Sequence, residues 1–159
     1  MKRNQIRITP HFSLSEFEDR ATGFIRIHPL LPLRLEELRS ALGLPLIITS
    51  SCRTWPEHER IYREIYADRW GREISLTSCH LISGPTPEDL SREPILAERL
   101  ATSDWKPEGL HRTCCAADIR CPSEITVGDL VKAAQRFFDF VKPYPWGAHV
   151  DLRYTELEG

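Results

Sequence analysis

The chain has 159 residues, 41% of them hydrophobic, with 21 basic against 23 acidic side chains and a net charge of −2. That length fits one ordinary domain with a sizeable core. The near-balanced charge gives no electrostatic footprint for nucleic acid or an acidic membrane surface, and no apolar run is long enough to span a bilayer.

The opening residues Met1-Lys2-Arg3-Asn4-Gln5-Ile6-Arg7 begin like a signal peptide, but no apolar stretch follows, so a cytoplasmic protein is expected. Ser13 and Glu16 have the spacing of a capping box, which predicts one or two helical turns pinned by Phe12 and Phe17. Leu31, Leu35, Leu38 and Leu42 recur at helical spacing, with Pro32 at the start and Gly43 just past the end. Leu44 to Ser50 reads as a buried strand that delivers Ser50, Ser51 and Arg53 to its C-terminal end. A second helix is predicted from about Pro56 to Trp70, with His58, Ile61, Tyr62, Ile65 and Tyr66 on one face.

Residues 71–108 hold Pro85, Pro87, Pro94 and Pro107 and two short helical candidates, one after Thr86 and one around Ile95 to Leu100. They read as an elaborated connection within a single domain spanning 1–159, too short for a core of their own. Cys115 to Arg120 is predicted as a strand carrying Asp118. Thr126 with Asp129 caps a helix whose apolar stripe runs from Val127 to Val141, ended by Pro143 and Pro145. A last strand, Ala148 to Arg153, puts His149 and Asp151 on one face. This order of elements predicts an α+β fold with a small antiparallel sheet flanked by helices.

Cys52, Cys79, Cys114, Cys115 and Cys121 are an odd number, with no Cys-x2-Cys pair. They read as reduced, small, buried hydrophobes and not as a thiolate metal site. The metal-ligand chemistry lies elsewhere. His111 and Asp118 are seven positions apart, and a further histidine, His149, comes late in the chain. Two imidazoles and one carboxylate make three protein ligands and leave a fourth zinc position for water, the pattern of a catalytic zinc site.

Several stretches resemble the zinc D-alanyl-D-alanine carboxypeptidases of the hedgehog/DD-peptidase fold, in their short bacterial and phage versions. His11-Phe12 with Glu16-Phe17 resembles the family's opening. Leu42 to Thr54 resembles its Leu-Gly-x-Pro strand and the loop ending in arginine. His111 with Ala116-Ala117-Asp118-Ile119 resembles its His-x-x-Gly-x-Ala-x-Asp segment, and His149-Val150-Asp151-Leu152-Arg153 its closing His-Val-Asp-Val-Arg. The resemblance implies Zn2+ as cofactor, held by His111, Asp118 and His149, with Arg53 holding substrate oxygens.

Cys114, Gly109 and Cys52 depart from the family's usual residues, and the connection from Arg53 to His111 is longer than usual. Several relatives carry an acid three residues before the last histidine ligand; here that place is Trp146. Asp151 is then either the general base or a partner that orients a ligand, with Glu108 as a further candidate base. Ser78-Cys79-His80 echoes the family's Ser-x-His, but no Ala-x-Asp follows, so His80 reads as a decoy. His11, His28 and His58 read as surface or core residues, and Arg53 and Arg153 have a plain alternative as salt-bridge partners.

The expected function is a zinc-dependent hydrolase of peptidoglycan stem peptides, of the D,D-carboxypeptidase or endopeptidase type. It would be a monomer that reaches the cell wall by phage-type release. The alternative is a non-catalytic zinc-binding module of the same fold, such as a phage particle component or a binding domain.

Overall fold

The computed structural model describes residues 4–101 and 113–155. Four strands, β1 (Ile47–Ser50), β2 (Ala116–Arg120), β3 (Phe140–Tyr144) and β4 (Gly147–Asp151), form one antiparallel sheet in the order β1-β2-β4-β3. The fold is α+β, as expected. Side chains alternate across the pleat, so each cross-strand pair shares a face. Ala117 opposite Val150, and Ile119 opposite Ala148, face the core and are fully buried. Against them pack helix α1 (Leu30–Leu42), through Leu31, Leu35 and Leu38, and helix α6 (Val127–Ala134), through Leu130 and Ala134. Burial of each such leucine is worth about 1.5–3 kcal/mol.

Local signals place these elements. Gly43 closes α1 at φ 65°, the left-handed region that suits glycine, and its N–H reaches the Arg39 carbonyl. Thr126 caps α6 by accepting from the Asp129 N–H, while Asp129 accepts from the Thr126 N–H. Ser13 donates its N–H to Glu16 at 2.7 Å and opens a short 3-10 turn, Leu14–Phe17, with Phe12 and Phe17 buried. At Gly147 a Cβ would lie 2.0 Å from the Ile119 carbonyl oxygen, so only glycine lets β4 close on β2.

Two expectations need correction. The apolar stripe after Thr126 does not continue as one helix to Pro143: α6 ends at Ala134, and Val141 and Pro143 belong to β3. Strand β3 lies at the sheet edge, where a proline costs no ladder bond. The second helix is also shorter than expected. Helix α2 covers Trp55–Tyr66, and a 3-10 turn at Ala67–Arg69 separates it from helix α3 (Trp70–Glu73). Ala67 has φ 28°, a backbone turn no apolar spacing signals. The buried face of α2 is set by Trp55, Glu57 and His58, whereas Ile65 is exposed.

Helices α4 (Pro87–Arg92) and α5 (Pro94–Ala101) fall where the two short candidates were expected. With α2 they close a second, smaller apolar cluster of Trp55, Trp70, Ile74, Leu76, Leu81 and Leu96. The connection thus shares a core with α2. Among the described residues, no helix is long and apolar enough to cross a membrane.

His58 is fully buried beside this cluster, its Nε2 2.7 Å from the Ser75 carbonyl and its Nδ1 without a partner among the described residues. Burial first, then the Arg53 charge, push its pKa down to about 3. The folded protein keeps His58 neutral, while the unfolded chain protonates it below about 6.5. Its contribution is therefore present above that pH and is lost as pH falls toward 3, at about 1.4 kcal/mol per pH unit. Urea unfolding at pH 6.5 and 5.0 should show wild type losing about 2 kcal/mol more than His58→Leu. Parallel pH dependence of the two proteins would contradict this assignment.

Candidate metal centre

The sheet face opposite the core carries the polar residues. Register places Ser50, Asp118, His149 and Lys142 in one row across β1, β2, β4 and β3. The row brings Asp118 and His149 together, as expected for two of the ligands. The third group beside them is His80. His111, which the sequence motif places in that role, lies outside the described residues, as does Glu108. His80, set apart as a decoy by the sequence motif, thus stands in the group that could hold a metal ion.

The chain around His80 is held by its main chain. Arg53 N–H donates to the His80 carbonyl at 2.8 Å and Ile82 N–H to the Arg53 carbonyl at 2.9 Å, a parallel bridge beside the exit of β1. Cys115 N–H donates to the Cys79 carbonyl at 3.0 Å, fixing the same loop to the start of β2. Leu81 and Ile82 are buried and anchor it.

Three atoms converge. His80 Nε2 is 3.2 Å from Asp118 Oδ1, His149 Nδ1 is 3.1 Å from the same oxygen, and the two nitrogens are 3.2 Å apart. His80, Asp118 and His149 form a group that can hold a metal ion. At metal–ligand distances near 2.0–2.1 Å, the edge of a tetrahedron is about 3.3 Å, so the three atoms have the spacing of one tetrahedral face.

The remaining hydrogen bonds assign the tautomers. His80 Nδ1 donates to the Ser51 carbonyl at 2.6 Å, leaving Nε2 as a lone pair. His149 Nε2 donates to Asp151 Oδ2 at 2.7 Å, which turns Nδ1 toward the group. Asp118 Oδ2 accepts from Arg53 at 2.8 Å, leaving Oδ1 for the centre. Each inward atom is therefore oriented by a partner behind it, the arrangement that metal ligands require.

The charges agree with this geometry. Burial raises the Asp118 carboxyl, but the His80 and Arg53 charges and the hydrogen bonds from both histidines outweigh it and hold the group well below the usual carboxylate range. Burial lowers the His149 imidazole, but its bonds to Asp118 and Asp151 raise it to about 9. Burial, then Arg53, push His80 down. At neutral pH the group holds one proton, on His149, among three atoms that otherwise repel each other. A cation held by His80, Asp118 and His149 would take the place of that proton.

Arg53 lies near the centre, as the sequence implied, but as the partner of Asp118, with its Nε on Ser50 Oγ at 3.0 Å. Asp151 does not face the opening. It is fully buried behind His149 and is gripped by Arg153 at 2.8 and 3.0 Å. Of the two roles open to Asp151, orienting a ligand is the one the geometry fits; the catalytic-base assignment is not. Arg153 in turn lies 3.7 Å over the Phe140 ring. His11 pairs with Glu36 at the surface, and His28 and His58 are buried outside the group. All five cysteines are free thiols, and none belongs to the group.

The centre opens into a cavity of about 590 Å³ lined by His80, His149, Arg53, Tyr62, Lys142 and Tyr144, among others. Lys142 makes no ion pair among the described residues and lies 5.8 Å from the Tyr144 ring centroid. Burial raises the Tyr62 phenol and pushes Tyr144 up to about 12, so both stay protonated hydrogen-bond donors at neutral pH. Sequence reasoning missed Lys142 and Tyr144 because β3 was read as the end of a helix. For His80 the usable signal is Ser78-x-His80. Compared with family models, curated proteins and solved structures, the chain matches none.

Proposed function

We propose that the protein is a zinc-dependent hydrolase of peptidoglycan stem peptides, of the D,D-carboxypeptidase or endopeptidase type. The observation that carries the proposal is the single tetrahedral face made by His80, Asp118 and His149, with its open side toward a cavity lined by donors and cations. Two imidazoles and a carboxylate suit zinc, which when bound supplies Lewis acidity and lowers the pKa of water. The chain's own groups do the rest. Ser51 and Asp151 hold the imidazoles, and Arg53 holds Asp118. Lys142 offers a charge to a substrate carboxylate, and Tyr62 and Tyr144 donate hydrogen bonds to a developing oxyanion. The choice of peptidoglycan rests on the four sequence stretches that resemble the zinc D-alanyl-D-alanine carboxypeptidases.

A second reading, a metal-binding module without turnover, has its own support. Asp151 is withdrawn behind His149, and Trp146 stands where several relatives carry an acid. Glu57 and Glu64, on the flank of the site, are both held by Arg60. The experiment is to incubate zinc-loaded protein with purified peptidoglycan and identify released muropeptides by mass spectrometry. New peptide termini at catalytic rates support the hydrolase. Full zinc occupancy with no cleavage selects the module.

A further inference from the structure

A second cavity, of about 780 Å³, adjoins the first through the shared residues Arg53, Tyr62, Lys142 and Tyr144. Its lining differs in kind. Tyr62 and Tyr66 enter from α2, stacked with ring centroids 5.6 Å apart. Tyr144 and Trp146 enter from β3 and the turn after it, stacked at 5.2 Å with an interplanar angle of 19°. Charged forks stand among the rings: Arg20, Arg60, Glu57 and Glu64. Trp146 is 46% exposed, the largest side chain among the described residues with so much surface open to solvent.

An exposed indole stacked on a phenol loses apolar area to water unless something covers it. The lining selects what that is. A purely apolar ligand would strip water from exposed Arg20 and from the Arg60–Glu64 pair without replacing their hydrogen bonds. A nucleic acid strand would meet two carboxylates in a chain of net charge −2. A sugar ring fits both halves of the surface: its flat C–H face covers an aromatic ring, and its edge hydroxyls and amide pair with guanidinium and carboxylate groups.

We propose that this aromatic cavity is a saccharide subsite for N-acetylated amino-sugar units. It takes the glycan strand to which the stem peptides are attached and holds it beside the metal centre. The choice of sugar rests on the peptidoglycan reading, but the subsite is separate from the metal ligands, apart from Asp118 at its border. Saccharide binding should therefore persist without metal.

Isothermal titration of the full, metal-stripped chain with N-acetylglucosamine tetramer tests this directly. Saturable binding is expected, weakened by about tenfold or more in Trp146→Ala and largely kept in Trp146→Tyr, which retains a stacking ring. Trp146 is exposed, so the variants should match wild type in thermal unfolding. A glucose tetramer that lacks the acetamido groups should bind at least about fivefold more weakly. No binding at millimolar tetramer, equal binding by Trp146→Ala, or equal affinity for the glucose tetramer would each overturn the proposal. Binding of the sugar by a protein that cleaves no peptidoglycan when zinc-loaded would uphold the subsite and reject the hydrolase. Cleavage without sugar binding would do the reverse.

Discussion

His80→Ala is expected to abolish stoichiometric zinc binding. Among the described residues His80 supplies one of the three inward-facing atoms, 3.2 Å from each of the other two. Its loss leaves one imidazole and one carboxylate, and the affinity should fall by more than the 10–100-fold that follows removal of an orienting partner. The substitution also frees the Ser51 carbonyl, a buried acceptor, at a cost of about 1–3 kcal/mol, so folding must be checked by thermal unfolding at the same pH. Zinc measured by mass spectrometry after dialysis decides the case. If His111→Ala loses the metal and His80→Ala keeps it, the sequence motif outweighs the packing, and the group around His80 is a hydrogen-bond cluster only.

Asp151→Asn should reduce zinc affinity by about 10–100-fold, with any peptidoglycan cleavage falling in step. The carboxylate accepts from His149 Nε2 at 2.7 Å, and this bond turns Nδ1 inward. An asparagine can keep the shape, but it removes the charge that makes His149 a better ligand. It also leaves Arg153 without its ion-pair partner; that guanidinium is 35% exposed, so water screens much of the loss. Asp151 is held near about 2 because the His149 and Arg153 hydrogen bonds outweigh the effect of burial, so it is charged throughout the working range. Full zinc affinity with a large loss of turnover would contradict the orienting role and return Asp151 to proton transfer.

These expectations differ from the sequence reading at specific residues, and the reasons are physical. The spacing of Leu31, Leu35 and Leu38, the Gly43 stop and the Thr126 cap are local signals, and each produced the element it announced. The alternation of β4 put His149 and Asp151 on one face correctly, but not which of them faces the opening; that depends on Arg153 reaching back. Phe137, Phe138 and Val141 continue the period of α6, yet the edge of the sheet needs a fourth strand, and pairing with β4 wins. His80 is 38 residues from Asp118, with no Ala-x-Asp following its Ser-x-His, so motif spacing favours His111 over it. Its place is set by main-chain bonds to Arg53 and Cys115, which no local pattern encodes.

The central claim is that His80, Asp118 and His149 hold one metal ion. X-ray absorption at the zinc edge of the loaded protein tests it most directly. One zinc per chain is expected, with only nitrogen and oxygen around it at about 2.0–2.2 Å and outer scattering from two imidazoles. His80→Ala should remove one of the two imidazoles or the zinc itself. A sulfur ligand at about 2.3 Å, from thiols such as Cys79 or Cys115 in the neighbouring loop and strand, or a folded protein that takes up no zinc, would contradict it.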